Sequence, residues 1–171
     1  MRLFVAINFN NETRSRLLAL RDELHGKSQR GKFTEPENLH LTLVFIGEVS
    51  PNKVDKIKAI MDIVTFDPFT VTIKRLGTFS RGTLWWAGLH EDKPILVFQR
   101  EIEHKLTLCG LEPDGRKYRP HITLGREVVT DIKPWQIEPF GETVGTIDLM
   151  KSERINGKVS DVYSNMYEKI K

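Results

Sequence analysis

An apolar run, an amphipathic stretch, a loop rich in Gly and Pro, and a His-x-Thr-x tetrapeptide follow one another in this chain, and then follow one another again. The first pass opens on "LFVAINF" (3–9) and ends on "HLTL" from His40; the second opens on "TLWWAGLH" (83–90) and ends on "HITL" from His121. His40 lies 37 positions after Leu3, and His121 lies 37 after Leu84; at that offset Phe4 matches Trp85 and Ala6 matches Ala87. Two copies are too few for a solenoid, whose repeats bury a core only when three or more stack. They fit one domain over 1–171 made of two pseudo-symmetric lobes, with repeats at roughly 3–49 and 84–130.

Local patterns name the elements. Leu17, Leu20 and Leu24 recur at helical spacing between Glu12 and Lys27, and Ile95, Phe98, Ile102 and Leu106 do so after the turn-like "EDKP" (91–94). Ser50-Pro51 predicts a helix start, with Ser as cap and Pro in the first turn, ahead of Val54, Ile57, Ile60, Met61 and Val64. "FTVTIKRLG" (69–77) alternates as a strand does, and "VGTIDLMKS" (144–152) follows suit. The terminal "DVYSNMYEKIK" (161–171) satisfies a period of two or of four; the β-rich context favours a strand.

Composition narrows the class. Of 171 residues 39% are hydrophobic and 29% charged, enough for a buried core and a solvated surface. The apolar runs are strand-sized, well under the ~20 residues of a membrane helix. Met1-Arg2 runs directly into the first of them without a secretory pattern, and Cys109 is the single cysteine, so a reducing, cytoplasmic location is expected. A net charge of +3 leans toward anionic partners, with basic residues gathered at Arg116, Lys117, Arg119 and Arg126.

On a strand, positions i and i+2 share a face. His40 and Thr42 therefore point one way while Leu41 and Leu43 point into a core; His121 and Thr123 repeat this against Ile122 and Leu124. A cleft holding two imidazoles and two hydroxyls is a poor zinc site, since zinc takes three or four His, Cys or carboxylate ligands. Neither histidine has a nucleophile elbow or orienting acid beside it in sequence, which disfavours a Ser-His-Asp hydrolase. The set suits displacement at a phosphodiester, where one group removes a proton from the attacking oxygen and another protonates the leaving one. Imidazole serves either part near neutrality. The threonine hydroxyls, and Arg126 five residues past His121, suit the non-bridging oxygens. The pseudo-symmetry leaves open which histidine is acid and which base.

"RLFVAINF", "ENLHLTLVFIGEV" and "YRPHITLGR" together resemble the two-histidine (2H) phosphoesterases, and among them the LigT-like RNA 2′,3′-cyclic phosphodiesterases, also called 2′-5′ RNA ligases. The likeness runs over essentially the whole chain. It implies an α+β fold of two pseudo-symmetric lobes, each an antiparallel sheet with helices on its outer face, around a central groove. It further implies His40 as proton donor, His121 as proton acceptor, Thr42, Thr123 and Arg126 as substrate-binding residues, and neither metal nor cofactor. The expected partner of a monomer is an RNA or oligonucleotide end carrying a 2′,3′-cyclic phosphate, opened to a 2′-phosphate or joined through a 2′-5′ linkage. Two other readings stay open: an RNA-end or tRNA binding module with incidental hydrolysis, and an enzyme for small cyclic nucleotides such as ADP-ribose cyclic phosphate.

Other residues have plainer expectations. Phe45, three positions past Thr42, belongs to the opposite face of an ideal strand and so to the core, with base stacking as the alternative if the strand twists. One of Trp85 and Trp86 should be core and the other line the groove. Tyr118 and Arg119 lie on the loop entering the second motif, solvated or touching ribose or phosphate. His25, His90 and His104 are expected at the surface, and Cys109 as a small packed residue.

Overall fold

The computed structural model describes residues 1–90 and 93–153 in full and 159–166 as backbone. The elements run β1 (Arg2–Asn8), α1 (Asn11–Gly26), β2 (Ser28–Phe33), β3 (His40–Glu48), α2 (Val54–Ile63), β4 (Phe69–Phe79), β5 (Leu84–Leu89), α3 (Lys93–Leu108), β6 (Ile122–Thr130), β7 (Gln136–Val144), β8 (Thr146–Ser152) and β9 (Val159–Met166). They form two sheets, β3-β1-β8-β9 and β2-β6-β5-β4-β7, in which neighbours pair antiparallel. The strand orders correspond: β3, β1, β8 and β9 of one sheet stand where β6, β5, β4 and β7 stand in the other. β2 is an extra edge strand beyond β6. The fold is α+β with two antiparallel sheets, as the residues and the resemblance implied.

The sheets are not contiguous pieces of chain. β1 and β3 are completed by β8 and β9 from the C-terminal end, while β2 leaves the first repeat to pair with β6. The helices also cross over. α1 lies against β2, β6 and β7, with Arg16 over the Phe140 ring, and α3 lies against β3. A core running from Leu3 and Leu41 through Ile102 and Ile122 to Leu149 joins both sheets. At about 1.5–3 kcal/mol per fully buried aliphatic or aromatic side chain, these residues carry most of the drive to fold. A small second cluster of Phe4, Ala6 and Met150 sits on the other face of the first sheet.

Several boundaries depart from the local patterns. Residues 28–33, "SQRGKF", form a strand where a loop was expected; one apolar residue in six is no strand signal, and pairing with β6 alone makes it one. β7, which had no reading, tolerates Pro139 because it is a sheet edge. Pro51 opens one 3₁₀ turn (Pro51–Lys53), and α2 starts only at Val54; the Ser50 hydroxyl meets Asn52 Oδ1 at 2.6 Å instead of capping a backbone amide. At the N-terminus of α1 the cap is Asn10, which accepts from the Thr13 amide at 2.9 Å. Of the terminal stretch, 161–166 is strand and 167–171 lies outside the described residues, as do Glu91 and Asp92 of the turn-like segment.

The alignment of the repeats shifts by one on their first strands. Val5 opposes Val44 and Ala6 opposes Thr42, whereas Trp85 opposes Gly125 and Trp86 opposes Thr123. Val5 is thus the counterpart of Trp85 and Ala6 of Trp86, in place of the Phe4–Trp85 and Ala6–Ala87 matches. A slip of one residue exchanges the faces of a strand, so this difference decides which tryptophan reaches the site.

Candidate active site

In β1, residues 4, 6 and 8 share a face, and their partners in β3 are Phe45, Thr42 and His40. The steps 40, 42, 45 are possible because a β-bulge at Leu43–Val44 adds one residue to β3 and resets the alternation. Phe45 is therefore not core: it stands on the side of His40 and Thr42, 46% exposed, with its ring 6.1 Å from Phe4. The second sheet has the same device. Thr123 opposes Trp86, Gly125 opposes Trp85 on the core side, and Leu124 between them is unmatched. Arg126, next along, turns back to the Thr123 face, so that His121, Thr123 and Arg126 repeat the spacing of His40, Thr42 and Phe45.

β3 and β6 lie against each other. The Tyr118 hydroxyl donates to the Thr42 carbonyl at 2.9 Å, and the Asp114 amide donates to the Phe45 carbonyl at 2.9 Å, so the loop entering the second motif is stitched along β3. Thr42, Phe45, Phe79, Tyr118, Arg119 and His121 line one cleft of about 230 Å³. His40 is close enough for its titration to feel the charge of His121.

Each imidazole is held differently. The His121 Nδ1 lies 2.7 Å from the Arg119 carbonyl, which can only accept; in the neutral ring Nδ1 thus carries the hydrogen and leaves the Nε2 lone pair free. Its ring meets Phe79 edge to face at 5.1 Å, and the Arg119 guanidinium covers Phe79 from 5.7 Å. Burial pushes the His121 pKa down, the bond to Arg119 works the other way, and the charge of Arg126 lowers it further. His40, the first residue of β3, rests 5.0 Å from the Phe4 ring, and its buried Nδ1 has no partner among the described residues. Burial first, then the charges of Arg14 and His121, bring its pKa down to about 4. Both shifts favour the neutral ring.

Among the described residues no three His, Cys, Asp or Glu side chains gather into a metal site. His25 stacks on Phe33 at 4.2 Å, away from the two motif histidines. Two contributors, Arg14 and Phe79, had no sequence signal, and the structure decides between the two tryptophans. Arg14 looks like one more helix cation, yet α1 half-buries it, with a Nε that has no partner among the described residues. Phe79 reads as a strand end but abuts His121. Trp86 lies over glycine: a Cβ at Gly77 would stand 2.3 Å from its ring, and one at Gly88 2.5 Å, so both positions must be glycine for the indole to lie flat. Trp85 is the core tryptophan, 1% exposed.

Comparison with known proteins identifies the family. Residues 7–86 match the family model described as LigT like Phosphoesterase. An RNA 2′,3′-cyclic phosphodiesterase of Aeropyrum pernix is 35% identical over 164 residues, covering 90% of this chain and 93% of that one. Another, of Archaeoglobus fulgidus, is 33% identical over 151 residues, 83% and 85% of the two chains. The crystal structure of E. coli LigT in apo form matches with a TM-score of 0.83 at 25% identity, over 97% of this chain and 96% of that one. With a third of its residues identical to such relatives over most of both lengths, the chain belongs to the LigT-like phosphoesterase family.

Proposed function

We propose that the protein is a phosphoric diester hydrolase that opens 2′,3′-cyclic phosphate ends of RNA to 2′-phosphomonoesters. His121 Nε2 takes a proton from water, the water oxygen attacks phosphorus, the bond to the 3′ oxygen breaks, and His40 delivers its proton to that oxygen. Thr42 and Thr123 donate to the non-bridging oxygens, and Arg126 offsets their charge. A 5′-hydroxyl in place of water gives a 2′-5′ linkage by the same transfers. The observation that carries this reading is the joint placement of Thr42 and His121 in one cleft, with His40 beside Thr42 on the same face. The tautomer imposed by the Arg119 carbonyl supports His121 as the acceptor.

With its pKa held down to about 4 in the free protein, His40 takes up its proton from solvent as the substrate anion binds. An anionic phosphate between the rings favours the charged form of either imidazole and raises its pKa. Both proton transfers are assigned to side chains, which leaves no step to a metal or cofactor. We further read 1–171 as one bilobal domain with repeats near 3–49 and 84–130; the crossing of helices and of β2 between sheets supports this. No described helix is long and apolar enough to span a membrane; we read the protein as a cytoplasmic monomer, the single cysteine supporting only the reducing compartment. The test is incubation with RNA ending in 2′,3′-cyclic phosphate in the presence of EDTA. A 2′-phosphate product is expected; a 3′-phosphate, or turnover untouched by His40→Ala or His121→Ala, would refute the reading.

A further inference from the structure

The two repeats place different residues at equivalent positions beyond their motifs: Phe45 on β3 and Arg126 on β6. Arg126 is also not alone. Lys32 of the edge strand β2 opposes it, and Arg30 opposes Val129 one step farther out. Phe33 opposes Gly125 on the core side and stacks on His25, so Lys32 and Arg30 turn to the Thr123 face with Arg126. All three cations are exposed. Neighbouring strands are ~5 Å apart and alternate residues ~6.7 Å apart along a strand, so the charges form a row leading out of the site, away from His121. Beside it lies a concavity of about 570 Å³ lined by Arg30, Lys32, Thr83, Glu127 and Val129. Arg30 and Arg126 have no ion-pair partner among the described residues, and Glu127 engages Lys32 on the surface. Charges on an edge strand also deter aggregation, but that needs neither a single sign nor an arginine on the inner strand.

We infer that β2 and β6 form a phosphate track for the RNA backbone on the 5′ side of the cyclic end, so that the natural substrate is an oligonucleotide and not a free cyclic nucleotide. The inference rests on the hydrolase reading above and adds the substrate's length. Arg126 stays with the reacting phosphate, phosphodiesters upstream of it lie along Lys32 and Arg30, and Glu127 weakens the contact at Lys32. Surface cations act on phosphate by counterion release, with about 0.7 of log-log salt slope per contact on a single strand.

The experiment compares kcat/KM on a cyclic-phosphate-ended oligoribonucleotide and on a 2′,3′-cyclic mononucleotide, against salt, for the native protein, the double variant Arg30→Gln/Lys32→Gln, and Glu127→Gln. The double variant should lose about fivefold or more on the oligonucleotide at low salt, flatten its salt slope by about one, and stay unchanged on the mononucleotide. Glu127→Gln should shift the oligonucleotide value upward. Equal loss on both substrates, or no loss on either, overturns the track. If the native protein turns over neither substrate, the hydrolase reading fails by itself. Anisotropy with a labelled oligoribonucleotide then decides the track: binding weakened by the double variant supports it, and unchanged binding overturns it.

Discussion

Burial, helped by neighbouring positive charge, lowers the pKa of both imidazoles, and this governs the pH behaviour of single residues. The free enzyme needs a proton on His40 and none on His121, so kcat/KM should be bell-shaped, with an acid limb near His40's pKa of about 4 and an alkaline limb below the ordinary 6.5. The kcat profile, set in the complex, should move to higher pH. Either His→Ala change should cost about 10²–10⁴ in rate. Arg14→Gln removes a charge that lowers His40, so its acid limb should move up in pH, and Arg14→Lys should bring it back. An acid limb unmoved in Arg14→Gln would remove Arg14 from the site. The same shift is linked to stability. His40 titrates lower in the folded chain than in the unfolded one, so the unfolded state binds more protons between pH 6.5 and about 4. Stability is full above 6.5 and falls by about 3 kcal/mol toward pH 4 on this account. His40→Gln should flatten that part of a Tm-against-pH curve.

At the scale of elements, the bulges matter most. Each adds one residue to a motif strand just past the His-x-Thr pair, which brings Phe45 and Arg126 to the reacting face while Leu43 and Leu124 stay buried. Phe45 was expected in the core because parity along an ideal strand puts it there; a bulge is a property of the pair of strands and has no local signature. Trp86 depends likewise on neighbours. Gly77→Ala forces a methyl into the indole, and overpacking of this kind costs about 1–3 kcal/mol. A lower Tm together with altered tryptophan fluorescence is expected; an unchanged emission spectrum would mean that Trp86 does not lie across Gly77. Tyr118→Phe cuts the stitch to Thr42 and should cost about 1 kcal/mol by urea unfolding.

For the whole molecule, the exchange of parts makes the repeats inseparable. Residues 1–82 carry β2 without β6, and β1 and β3 without β8; residues 83–171 carry β5 and β6 without β4, and α3 without β3. Neither fragment should unfold cooperatively by circular dichroism, whereas mixing them should restore a transition. A stable 1–82 fragment would show that the crossing contacts are dispensable. The periodicities were enough for β1, α1, β3, β4, β5, α3, β6 and β8, because these elements bury one face and must alternate or recur to do so. The doubled His-x-Thr-x, read as chemistry, was likewise visible in the chain. What no window of residues contains is a partner: β2 is a strand only because β6 lies beside it, α1 covers a sheet whose motif strand β6 belongs to the other repeat, and the Arg14 charge acts on His40 only through that packing. Side-chain patterning is written residue by residue, and so the sequence alone named the helices, the two polar pairs and the strands other than β2 and β7. Pairing, bulging and crossing depend on which surfaces meet after collapse, and only the tertiary structure settled them.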